Sequence, residues 1–153
     1  MIRRTTSLDS WRLLACVAPL LAWPIAAAAT PVVTTDSAIF VEQRVTDAHR
    51  QLEPAKTLAR GDRVVTILRW YRLGGDGGFV ITNPLPRTIS YQQSSRANEE
   101  VSVDSGKSWG QLGTLKVGNR MATPEDVTHV RWRISPRLSM RGKGQIAYSG
   151  IVR

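Results

Sequence analysis

The chain has little of what site chemistry most often uses. It holds one cysteine, Cys16, and two histidines, His49 and His129, in 153 residues. Cys16 falls in an N-terminal segment that reads as a cleaved export signal, so the domain after it carries no thiol. Disulfides, zinc–thiolate sites and cysteine nucleophiles are thereby excluded from that domain. No further ligand stands at metal spacing from either histidine, so both are expected to be ordinary surface groups, and no metal or other cofactor is expected. A Lys/Arg run is also missing. The formal net charge is +9, yet apart from Arg3-Arg4 the arginines stand singly along the chain. That pattern disfavours nucleic acid and suits a solubilising surface, or attraction to an anionic envelope or acidic glycan. There is no Gly-x-Ser-x-Gly, and Gly74 to Gly78 leads into no helical pattern, which disfavours a serine hydrolase and a phosphate loop. Glu99-Glu100 and Glu125-Asp126 are adjacent pairs; a glycosidase needs two carboxyls facing each other across a cleft at about 5–10 Å.

What is present begins with the N-terminus. Arg3, Arg4 and Arg12 give a positive start against a single Asp9. An apolar run then extends from Leu13 to Ile25, and Ala26 to Ala29 supply the small residues that a signal peptidase reads. Ala27-x-Ala29 is the expected cut, before Thr30. Pro19 and Pro24 interrupt the apolar run, which falls short of the roughly 18 residues a spanning helix needs. No stable membrane anchor is expected. Leu13-Leu14-Ala15-Cys16 looks like a lipobox, but only Leu13 and Leu14 separate Arg12 from Ala15. Most of the apolar residues follow the cysteine, so an ordinary signal with Cys16 inside its core is expected instead of lipidation. Arg3-Arg4 lacks the bulky apolar pair of a twin-arginine signal, because Thr5-Thr6-Ser7 follows.

Cutting 29 of the 153 residues leaves 124, enough for one domain with a single core. Without three arginines and Asp9, that domain keeps a formal charge of +7. Its pattern is β throughout. Ala38 to Val45 is a first strand, and the polar Thr46 to Arg60, cut by Pro54, reads as a linker or irregular crossing. After the Gly61-Asp62 turn, Arg63 to Arg72 is the strongest strand, rich in β-branched and aromatic residues. Val64, Thr66, Leu68 and Trp70 share its core face. Phe79 to Thr82, Thr88 to Gln92, Glu100 to Val103, Val127 to Ile134 and Gln145 to Val152 complete about seven strands. Short strands, Gly/Pro-rich turns and no periodic helix predict an all-β antiparallel sandwich of immunoglobulin type after the signal, with its core over residues 38–153.

Gly61-Asp62-Arg63-Val64, the strand after it, a glycine turn and then Phe79-Val80-Ile81-Thr82-Asn83-Pro84-Leu85-Pro86 resemble the bacterial conserved-repeat family of extracellular domains, a domain of unknown function. Leu73-Gly74 stands where that family has Asn-x-Gly, and Asn83 stands where it has Asp. The resemblance implies an immunoglobulin-like sandwich with a structural role at the cell envelope or outside the cell, and it names no catalytic residue.

Two groups of residues stand out as candidates. Ser102-Val103-Asp104-Ser105-Gly106-Lys107-Ser108-Trp109 fits the Asp-box pattern Ser-x-Asp-x-Gly-x-Ser/Thr-Trp. Its physics is that of a hairpin turn: Asp104 accepts from the turn amides, Gly106 permits positive φ, Trp109 packs beneath, and Ser102 leads in. Sialidases carry several such turns around a propeller, whereas this chain has one copy and too few residues for several four-stranded blades. The second group is Val65, Ile67 and Tyr71, interleaved with Arg63 and Arg69 on the strand face opposite Trp70. If left uncovered, that stripe would be a partner surface; if covered by the first strand or a loop, it is core. The expected function is that of a non-enzymatic, exported module that contacts another envelope or extracellular protein. The alternative is a small carbohydrate-binding or carbohydrate-processing protein.

Overall fold

The computed structural model describes residues 29–46 and 49–153. Cys16 and nearly all of the export-signal segment therefore lie outside the described residues. The fold is all-β and antiparallel, as the pattern predicts. The described residues form ten strands: β1 Val32–Thr46, β2 His49–Pro54, β3 Arg63–Gly74, β4 Phe79–Pro84, β5 Ile89–Ser94, β6 Glu99–Ser102, β7 Lys116–Val117, β8 Arg120–Met121, β9 His129–Ile134 and β10 Lys143–Val152. One helical turn, α1 (Pro136–Ser139), precedes β10, with Ser135 capping it through a bond accepted from the Leu138 amide. Among the described residues no helix is long and apolar enough to cross a membrane.

The strands form a five-stranded sheet in the order β2-β1-β3-β10-β5, a three-stranded sheet in the order β4-β9-β6, and the small β7-β8 ladder. The core lies between the two larger sheets. Val64, Leu68 and Trp70 of β3 and Ile146 and Tyr148 of β10 face Ile81 of β4, Val101 of β6, and Val130, Trp132 and Ile134 of β9. Trp132 is fully buried and Trp70 is 1% exposed. Trp70 meets Phe79 edge to face at 5.2 Å, and Trp132 lies 5.7 Å from Tyr148. Two polar tips find partners across the core, whereas Trp70 Nε1 is buried without one: Asn83 Nδ2 donates to the Tyr148 hydroxyl at 2.6 Å, and Trp132 Nε1 donates to Ser94 Oγ at 2.9 Å. Such pairing removes the cost of burying those groups unpaired.

Two sequence expectations need correction. The first strand begins at Val32, not Ala38, because β1 runs the length of β3 and pairs with it from Val32↔Gly74 to Val41↔Val64. The segment read as a linker contains β2, which pairs with β1 from Phe40↔Pro54 to Thr46↔His49. Pro54 is tolerated because it ends an edge strand, where its missing N–H costs nothing. The Gly61-Asp62 turn is present and tied to the end of the chain: Gly61 N donates to Val152 O and Val152 N to Asp62 O, at 2.8 and 2.9 Å.

Candidate functional site

The Val65 stripe lies on the outer face of the five-stranded sheet. Cross-strand partners share a face, so Val65 stands between Phe40 and Ser149, and Ile67 between Ala38 and Ala147. β1 lies beside β3 in the same sheet, not over it, and Val65 and Ile67 are only half-buried. Tyr71, 40% exposed, is set apart from them by Arg69, which pairs with Asp36 at 3.4 Å. The structure thus brings Val65 and Ile67 together and leaves Tyr71 at the far end of the face.

Around Val65 the five strands enclose an open groove of about 260 Å³. Val65, Ala147 and Leu52 supply its apolar surface, with Gln93 and Ser149 on the β5 side. Glu42 stands between two arginines: Arg63 Nε lies 2.9 Å from Oε2 and Arg50 Nη1 lies 3.5 Å from Oε1. Arg63 also donates from Nη2 to Ser149 Oγ at 3.4 Å. Two cations on one carboxylate leave a net positive charge beside an apolar floor. That combination suits contact with a polypeptide surface of mixed apolar and acidic character. Arg50 and Leu52 were missed by sequence reasoning, which passed over β2, and Glu42 of β1 was missed because its partners lie there. No periodicity marks them: Arg50, Leu52 and Pro54 share one face of β2, and neither face of that strand is consistently apolar.

The Asp104 turn closes on itself. The Asp104 carboxylate accepts from Lys107 N, Ser108 N, Ser108 Oγ and Ser102 Oγ, at 2.6 to 3.0 Å. Those bonds, led by the Ser108 hydroxyl, hold its pKa well below the usual carboxylate range. Ser102, fully buried, also accepts from Gly106 N at 2.8 Å. Ser105 and Gly106 take positive φ of 63° and 87°, the left-handed pair the turn requires. Trp109 Nε1 donates to Gly106 O at 2.9 Å. The Arg131 guanidinium sits 4.3 Å from the centre of the Trp109 ring, and His129 meets that ring edge-on. Arg131 and Arg133 share Glu100, at 2.8 and 3.1 Å, and the Arg131 bond holds the Glu100 carboxyl below its ordinary range. The lone pairs of Asp104 are therefore spent on the turn, and one face of Trp109 on Arg131.

His129 Nδ1 lies 3.1 Å from Thr128 Oγ1. Among the described residues no cluster of three or more His, Cys, Asp or Glu stands at metal-binding distance. Tyr91 is pushed up from its ordinary value, first by burial and then by Glu99, whose Oε1 its hydroxyl meets at 3.4 Å. No protein-family model, no curated protein and no solved structure matches this chain.

Proposed function

We infer that the chain is an exported, non-enzymatic module of immunoglobulin-like sandwich type, acting through contact with another protein of the bacterial cell envelope or extracellular space. The observation that carries this reading is the groove on the outer sheet face, where Val65 and Ala147 lie open beside the Arg50–Glu42–Arg63 cluster. Export rests on the order of Arg3, Arg4, the Leu13–Ile25 run and Ala27-x-Ala29. Kinship with the conserved-repeat family rests on the Gly61-Asp62 turn and the Phe79–Pro86 segment. No membrane anchor, nucleic acid or cofactor enters the reading.

Two experiments test it. Fractionation of the producing cells with N-terminal sequencing should find the chain starting at Thr30 outside the cytoplasm; a cytoplasmic chain starting at Met1 would overturn export. Ile67→Lys should leave a folded monomer, because Ile67 is half-buried on an open face, and should lose the partner that the wild-type domain retains from envelope extracts. Loss of folding would instead make the stripe core. Saturable binding on a glycan array would favour the carbohydrate reading.

A further inference from the structure

The two larger sheets differ in width, and one side of the molecule is left incomplete. β4 lies against β3 and β10, as the Trp70–Phe79 and Asn83–Tyr148 contacts show. β6 lies against β5 through Tyr91 and Glu99. β1 and β2 therefore extend past β4, and among the described residues no strand pairs with the outer edge of β4. The core-side residues of β1 in this overhang are Val33, Thr35, Ser37 and Ile39. Thr35, Ser37 and Ile39 pair with Trp70, Leu68 and Thr66, all buried, yet are themselves exposed. Ile39 is 48% exposed against 8% for Thr66.

Two hollows run along this seam. One, of about 340 Å³, lies between Val33 and Thr35 and the Phe79–Thr82 edge. The other, of about 200 Å³, is lined by Ile39, Leu58 and Leu85. No charged residue lines either one. From Val33 to Ile39 the seam spans six residue steps, roughly 20 Å at strand rise. β4 itself, Phe79–Pro84, has no charged side chain to discourage pairing, whereas the edge strand β2 carries Arg50 and Glu53.

We propose that this seam is a binding site for one extended strand of a partner protein. The strand pairs main chain to main chain with β4 and turns apolar side chains toward Val33 and Ile39. Its outward side chains are acidic. Arg133, 61% exposed and paired with Val80 across the ladder, shares the one carboxylate of Glu100 with Arg131, which leaves the outer face of β9 net positive; the backbone of β9 lies about 10 Å from the docked strand, two strand spacings away. A second copy of this chain does not fit. Two copies joined through β4 would bring two β1–β2 overhangs into one gap, with the arginine faces of both on the same side. The site lies on the opposite face of the five-stranded sheet from the Val65 groove and does not depend on that groove.

The test uses the purified protein and the peptide acetyl-Val-Glu-Val-Thr-Val-Glu-Val-amide, with a control in which lysine replaces glutamate. Binding is followed by backbone NMR shifts and amide exchange. The expected result is saturable binding that protects the outward-facing amides of Val80 and Thr82, which alternate with the Ile81 and Asn83 amides turned toward β9; binding should be weakened about tenfold or more for the lysine peptide at low salt. Ile39→Glu should lose binding to a similar degree while its unfolding temperature stays close to wild type. Thr35→Glu, on the same wall, serves if Ile39→Glu fails to fold. The proposal is overturned by no saturable binding, by protection on β2 or β5 instead of β4, or by undiminished binding in the variants. It is also overturned if the outward amides of Val80 and Thr82 are already protected in the protein alone.

Discussion

The two halves of the five-stranded sheet are built from the same kind of strand and end in different states. In β3 and β10 the core-side residues Trp70, Leu68 and Ile146 are buried under the second sheet. One strand away, Thr35, Ser37 and Ile39 of β1 point the same way and remain exposed. Thr35 and Ser37 are polar, but Ile39 is as good a core residue as Leu68 and nothing in local propensity explains its exposure. The difference comes from strand order: β4-β9-β6 is three strands wide and covers only part of β2-β1-β3-β10-β5. Stability is concentrated in the covered half, and the overhang is free to meet something else.

Substitutions can break or sharpen that contrast. The largest effect belongs to Trp132, fully buried between Ser94 and Tyr148. Trp132→Ala should cost about 3–5 kcal/mol in denaturant unfolding, through lost burial and the cavity left behind. Next comes Gly144, paired with Trp70 on β10. An added Cβ there would stand 2.5 Å from the Trp70 ring, so Gly144→Ala should cost about 1–3 kcal/mol by overpacking. A smaller effect is expected at the Asp104 turn, at the rim of the covered half. The Asp104 and Asp126 carboxyls are both held below their ordinary value, Asp104 by Ser108 and Asp126 by Arg120 and the Thr123 amide. A depressed carboxyl contributes stability that is complete above its unfolded value, about 3.9, and is lost as the pH falls through the folded value. Thermal unfolding of wild type should therefore begin to drop below about pH 5 and keep dropping through about pH 3 and lower, and Asp104→Asn should flatten part of that drop. Smallest of all, Ile39→Ala on the overhang should shift stability by only about 0.5 kcal/mol. A cost approaching that of Trp132→Ala would mean that the overhang is core after all.

The sequence made the covered half legible. Alternation in Arg63 to Arg72 and in Val127 to Ile134 placed Trp70, Trp132, Val130 and Ile134 on their core faces without knowledge of the partners. The Asp104 turn was equally readable, because its bonds close within eight residues, from Ser102 to Trp109. The overhang was hidden for a physical reason. β2 has no buried face, so Arg50-Gln51-Leu52-Glu53 carries no core alternation and looks like a linker; it is a strand only because β1 offers an edge to pair with. Alternation also splits Val65 and Ile67 from Trp70 without saying which face is covered. That depends on strand order, set by contacts such as Asn83 with Tyr148 that are 65 residues apart. The groove and the seam were illegible for the same reason.

The central claim is that the faces left open by this strand order are where the chain meets its partner. A photo-crosslinking residue placed at Ile39, at Ile67 or at Met140, which is exposed in the turn between α1 and β10 and lies on no strand, tests it directly in the producing cells. Adducts of defined mass are expected from positions 39 and 67 and none from 140. Adducts from 140 as abundant as those from the other two, or none from either 39 or 67, would contradict it.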